Sequence, residues 1–231
     1  MNESVTYELS SDVAVLTIDD HKVNALTHSI IEALHEGLDR AEREVKAVLL
    51  VGRPGRLSGG FDLSIMKSGP EGLRGLVTAG AELLLRLYSF PRPVVVACTG
   101  HAMAAGALML LSADLRIGAR GPFKIGLNEV SIGMTLPIVA VELAREKLAV
   151  THLARGTILA EIFDPEKAVE AGFLDHLTNE DALTEYALGE AQRLSRLGDP
   201  AFKKTRNHLR RSSIDFIRRT LADDMAQLSA L

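Results

Sequence analysis

Glu129 stands in the segment Ile125-Gly126-Leu127-Asn128-Glu129-Val130, a single carboxylate among apolar neighbours. Upstream, Ala102-Met103-Ala104-Ala105-Gly106-Ala107 gathers small residues and runs into Leu108-Met109-Leu110-Leu111, apolar on every side. Small side chains let a backbone come close to another segment or a ligand. A helix that is apolar all round is buried, and its first turn carries unpaired N–H groups at the positive end of the dipole. Further upstream, Gly52 to Gly60 reads GRPGRLSGG, with four glycines in nine positions, a signal of unusual backbone angles or close approach. A donor-rich helix start followed by a semi-buried acid suits stabilisation of an oxyanion beside a general base.

Other chemistries find little support. Cys98 is the only cysteine, which excludes an intrachain disulfide and a cysteine-based metal cluster. It follows a buried-looking strand and reads as an inert thiol in a reducing compartment. The seven histidines contain no H-x-x-x-H pair, and no metal is expected. Ser58 lies in Gly55-Arg56-Leu57-Ser58-Gly59, which is not the G-x-S-x-G elbow of a hydrolase. The formal net charge of −4 argues against nucleic acid as the main partner. Lys203, Lys204, Arg206, Arg210 and Arg211 read as a solvated helix face. The N-terminal residues lack a signal-peptide core, and no apolar run reaches the roughly 18 residues of a membrane span. These features predict a cytoplasmic protein with no membrane partner.

The elements that must position this chemistry follow from periodicity. Val5–Leu9 and Val13–Ile18 alternate as two strands around a Ser10-Ser11-Asp12 turn. Val23–Leu26 is a short apolar segment before a helix capped by Thr27 or Ser29, with Ile31, Leu34, Leu38 and Ala41 on one stripe. Residues 47–51 form a strand, and Gly52–Gly60 a loop. Asp62 is placed to cap a first helical turn. A helix over about 71–88 buries Leu73, Leu76, Ala79, Leu83 and Leu87 and is ended by Pro91 and Pro93. Val94–Val96 is a buried strand, with a turn at Thr99-Gly100 before the small-residue run. Short strands are expected at 114–117, 123–125 and 173–177, and helices at 137–148, 151–160 and 165–171. The rest is helical: 182–197, 200–210, and 213 to the end with Ile214, Ile217, Leu221, Met225 and Leu228 in phase. The order predicts an α/β core over 1–178 and a helical part over 179–231. The apolar stripe of the last helix predicts packing on a neighbour, hence an oligomer.

Three segments together resemble the crotonase, or enoyl-CoA hydratase/isomerase, family. Lys22-Val23-Asn24-Ala25-Leu26 is similar to its N-A-L segment. Ser58-Gly59-Gly60-Phe61-Asp62-Leu63 is similar to its C/S-A-G-A-D-L turn. Pro93–Ala97 through Gly100, then Ala102–Ala107 and Ala113-Asp114-Leu115-Arg116-Ile117, is similar to its K-P-V-I-A-A-V-N-G-x-A-x-G-G-G segment closed by C-D-x-R-I-A. The resemblance covers nearly the whole chain. It implies an α/β fold made of a spiral of ββα units with a helical C-terminal trimerisation part, assembled as a trimer or a dimer of trimers. It implies an acyl-CoA thioester as substrate and no resident cofactor.

By position, the resemblance makes Phe61 N–H and Ala105 N–H the two donors to the thioester oxygen and Glu129 the base. Phe61 stands where the family has a small residue, which bears on the shape of the acyl pocket. The substrate-binding set it implies is Lys22, Asn24, Ala25, Leu26, Gly59, Gly60, Asp62, Leu63, His101, Ala104, Leu108 and Met134. For His101 a structural and a pocket-facing role both stay open. Family hydratases carry two glutamates that order one water. Leu108 occupies the first of those positions here and cannot move a proton; Glu129 occupies the second. A single base suffices to take a proton from C2 and return it at C4. The reading therefore favours an enoyl-CoA isomerase. The alternatives are a 2-enoyl-CoA hydratase of fatty-acid β-oxidation and an acyl-CoA-binding protein with reduced catalysis.

Overall fold

The computed structural model describes residues 3–228 and repeats one unit, strand–strand–helix, along the chain. The first unit is β1 (Val5–Ser10), β2 (Val13–Ile18), the short β3 (Ala25–Leu26) and α1 (His28–Glu44). Thr27 caps α1, its Oγ1 accepting the Ile30 N–H at 3.3 Å. The second unit is β4 (Ala47–Gly52), β5 (Gly55–Ser58), β6 (Gly60–Phe61), α2 (Leu63–Met66) and α3 (Pro70–Ser89). The third is β7 (Val94–Cys98), β8 (Gly100–Met103) and α4 (Ala105–Ser112). The fourth is β9 (Leu115–Ala119), β10 (Ile125–Gly126), a 3-10 turn at Val130–Ile132 and α5 (Ile138–Lys147). Then come α6 (Val150–Gly156), α7 (Pro165–Ala171), β11 (His176–Thr178), α8 (Leu183–Leu194) and α9 (Asp199–Ala226).

Both long strands of the first unit, the first strand of each of the next three and β11 form a six-stranded sheet of order β1-β2-β4-β7-β9-β11, parallel except for the β1–β2 hairpin. The other strands build a parallel three-stranded sheet, β10-β8-β5, and β3 pairs with β6. This is the expected spiral of ββα units. Both faces of the large sheet are covered, which explains the continuous apolar runs of β4 and β7. Val48, Leu50, Val94, Val96 and Cys98 face the main core, while Leu49, Val51, Val95 and Ala97 meet Leu183, Ala187 and Ala191 of α8. Every residue of α4 is buried, as its all-round apolar sequence requires. Cys98 is buried in that core, its Sγ 3.1 Å from the Gly100 carbonyl, and burial pushes the thiol up to about 12.

The structure departs from the expected elements in several places. Gly52–Gly60 is not all loop, because β5 lies inside it; Gly100–Met103 is a strand rather than a turn and helix approach. The expected helices 200–210 and 213-to-end are one helix, α9; residues 229–231 lie outside the described residues. Ser213 does not break it, since its Oγ bonds Glu146 Oε1 at 2.6 Å and α9 packs on α3 and α5. The expected solvated basic face fails at two of its five residues. Arg206 and Arg210 are buried and pair with Asp114 at 2.9 Å each, while Lys203, Lys204 and Arg211 are exposed. Among the described residues, no helix is long and apolar enough to cross a membrane, and no group of three or more His, Cys, Asp or Glu could hold a metal ion.

Candidate active site

The glycine-rich turn is held from behind by buried side-chain bonds. Asn24, fully buried at φ +51°, donates from Nδ2 to the carbonyls of Ile18 (2.8 Å) and Leu57 (3.1 Å) and accepts the Asp20 N–H at 3.0 Å. Ser58 Oγ donates to the Asn24 carbonyl at 2.7 Å and accepts the Gly60 N–H at 3.1 Å. Asp62 N–H donates to the Leu26 carbonyl at 3.1 Å and Gly59 N–H to the Val23 carbonyl at 2.8 Å, which pins the turn to residues 23–26. Asp62 then caps α2, accepting the N–H groups of Ser64 (2.8 Å) and Ile65 (3.1 Å).

The start of α4 lies directly against this turn. A β-carbon on Gly60 would sit 3.0 Å from Ala104 Cβ and 3.6 Å from Ala105 N. A β-carbon on Gly106 would sit 2.4 Å from the Ser58 carbonyl oxygen. The two glycines are therefore where two backbones touch. Ala104 adopts φ +50°, ψ −122°, a conformation that costs a non-glycine residue on the order of 1–3 kcal/mol. Leu108 N–H is the first to close a helical turn, on the Ala104 carbonyl at 3.0 Å, so Ala105 N–H belongs to the open first turn.

Glu129 completes the arrangement. Its carbonyl accepts the N–H groups of Ile132 (3.0 Å) and Met134 (2.9 Å), which ties the loop around it. The residue is 8% exposed, and its Oε2 is buried without a hydrogen-bond partner. Burial raises the carboxyl to about 7, with only a backbone hydrogen bond acting the other way. An acid titrating near neutrality, with a free oxygen, is equipped to take and return a proton.

Glu129 opens on a cavity of about 190 Å³. Of the residues singled out from the sequence, Gly59, Phe61, Leu63, Ala104, Leu108, Glu129 and Met134 line it together. Gly60 and Ala105 are not among its lining residues, although each adjoins one that is. Lys22, Asn24, Ala25, Leu26, Asp62 and His101 do not line it. Asn24 and Leu26 are fully buried, and Lys22 is exposed. His101 faces the other way: its Nδ1 accepts the Lys124 N–H at 3.0 Å and its ring stands edge-on to Phe123. Burial first, then Arg56 and Lys124, lower its pKa, so the neutral ring serves as a brace.

The cavity also takes Met66, Val77, Asn128, Ile132, Thr135, Pro137 and Leu228, several of which sequence reasoning passed over. Val77 follows Leu76 on the buried face of α3, and Thr135 adjoins Met134, so proximity was the available signal. Leu228 was visible only as part of an apolar stripe.

A family model described as enoyl-CoA hydratase/isomerase matches residues 8–229. The chain is similar to an enoyl-CoA hydratase/isomerase family protein from Pseudomonas syringae, 44% identical, with a TM-score of 0.96, covering 98% of this chain and 99% of that one. It is similar to a Mycobacterium tuberculosis protein described in one structure as an enoyl-CoA isomerase and in another as a probable enoyl-CoA hydratase, 36% identical with a TM-score of 0.93 in both, covering 98% of this chain and 100% of that one in the first and 97% of each in the second. It is also similar to an enoyl-CoA hydratase from Mycobacterium marinum, 34% identical, TM-score 0.93, again covering 98% and 100%. By this match and by its fold, the chain belongs to the crotonase, or enoyl-CoA hydratase/isomerase, family.

Proposed function

We propose that the protein moves the double bond of an enoyl-CoA from the 3 to the 2 position. The N–H groups of Phe61 and Ala105 hold the thioester oxygen. Glu129 takes a proton from C2, the charge spreads over the dienolate onto that oxygen, and the same carboxyl returns the proton at C4. No water or redox partner enters the balance. The observation that carries the reading is the cavity wall: among its described residues Glu129 is the only titratable side chain, and Leu108, which the resemblance puts at the position of a hydratase's first glutamate, lines it as an apolar residue. A single base near pKa 7 suits a proton taken and given back by one group.

A second reading, hydration of 2-enoyl-CoA, is favoured by the hydratase among the similar structures. It would need a second group to order water, and Asn128 and Thr135 are the polar side chains beside Glu129 in the lining. The experiment is the absorbance change on mixing the protein separately with 3-enoyl-CoA and 2-enoyl-CoA. Conversion of the 3-enoyl thioester without hydration of the 2-enoyl thioester is expected. Hydration would move the assignment to hydratase, and acyl-CoA bound but unchanged would move it to a binding protein. The reading includes self-association as a trimer or a dimer of trimers. The apolar stripe of α9 does not carry it, because Ile214, Ile217 and Met225 are buried in this chain's own core; Val150, Ile158 and Leu159 support it, being 91%, 70% and 69% exposed, an apolar surface of the kind that marks an interface. Sedimentation velocity tests it, and a monomer at micromolar concentration would overturn it.

A further inference from the structure

Phe61 carries a donor on its backbone and a wall of the cavity on its side chain. The ring lies against the backbone of Gly80 in the middle of α3. A β-carbon built on Gly80 would sit 2.2 Å from both Cε1 and Cζ of Phe61. No side chain at position 80 can coexist with the ring in this place. Gly80 has no positive φ, so its backbone does not require glycine, and a glycine inside a helix is otherwise unfavourable. Accommodating the ring is the reason the structure gives for it.

The remaining walls are close. Val77 lies on α3 one turn before Gly80, Met66 comes from α2, and Leu108, Met134 and Leu228 stand around them. The space left is about 190 Å³, below the roughly 300–1,000 Å³ of common ligand pockets. We infer that the Phe61 ring, laid back on Gly80, sets the length of acyl chain the cavity admits, and that the protein takes short acyl-CoA chains in preference to long ones. The inference rests on the reading of this cavity as the acyl site.

The experiment measures binding of hexanoyl-CoA and dodecanoyl-CoA by calorimetry, since saturated thioesters need no turnover. The natural protein should bind hexanoyl-CoA at least fivefold more tightly. Phe61→Ala keeps the backbone donor and removes the ring; it should shift the ratio at least tenfold towards dodecanoyl-CoA. Gly80→Ala should push the ring into the cavity and weaken hexanoyl-CoA at least fivefold. That loss should vanish when Gly80→Ala is made in the Phe61→Ala protein, where nothing is left to displace. The hexanoyl-to-dodecanoyl ratio is internal to one preparation, so it does not depend on the fraction folded, and if Gly80→Ala does not fold the Phe61→Ala ratio decides. Intact binding with an unmoved ratio, or no initial preference for the shorter chain, overturns the inference alone. A natural protein that binds neither thioester overturns the acyl-site reading and the inference with it.

Discussion

Asp114, between α4 and β9, accepts the Val94 N–H at 2.8 Å and the guanidinium groups of Arg206 and Arg210 at 2.9 Å each. Glu129, on the loop after β10, is also taken out of water, yet its Oε2 receives no donor at all. The first carboxylate joins the start of β7 to α9; the second faces a cavity. A buried charge given every partner is fixed in place, and removing one partner strands the others. A buried carboxyl left short of partners keeps a proton it can exchange near neutral pH. Asp224 falls between them, with one donor, the Ile138 N–H at 2.7 Å at the start of α5, and a carboxyl that burial holds above its usual range.

The contrast is tested first at Glu129. Glu129→Gln should lower kcat for 3-enoyl-CoA by about 10²- to 10⁴-fold, the worth of a positioned general base, with no fall in melting temperature. A variant that kept full activity would show that the unpartnered oxygen has no catalytic use. Asp114→Asn should do the reverse, costing about 3–5 kcal/mol in urea denaturation because two buried guanidinium groups lose their counter-charge. A cost under about 1 kcal/mol would erase the distinction between the two acids.

The third test is pH. The folded pKa of Glu129, about 7, lies above its ordinary value of 4.5. Between those values the native state binds more protons than the unfolded chain, so this group's contribution to stability falls as pH rises and levels off above about 7. The whole fall is up to about 3 kcal/mol, and urea titrations of Glu129→Gln against the natural protein should show it missing. Activity should climb through the same window, because the base must be ionised. The smallest effect is expected at Asp224→Ala, about 1 kcal/mol, the worth of one helix cap. An Asp224 effect as large as that of Asp114 would mean that donor number does not rank these acids.

Much of this was readable from residue types. The all-apolar Leu108–Leu111 run announced a buried helix, Asp164-Pro165 and Gly172 bracketed α7, and Glu129 drew attention by standing alone in an apolar segment. What stayed hidden was decided by partners distant in sequence. β8 is built from Gly, His, Ala and Met, with no strand periodicity, and exists because β5 and β10 pair with it on either side. Arg206 and Arg210 look like any basic helix face until Asp114, far earlier in the chain, comes to meet them. The Phe61–Gly80 contact joins two residues whose types suggest nothing about each other.

The buried thiol of Cys98 has a practical consequence. Being the only cysteine, in a central strand and protonated at any ordinary pH, it should ignore maleimide and other alkylating reagents while the sheet is closed. A single cysteine introduced on the surface would then be the sole point of attachment for a fluorophore or spin label, with the native thiol left in place. Under mild denaturant the same thiol becomes a clock. The rate at which it is labelled measures how often the middle of the sheet opens, with no engineered probe.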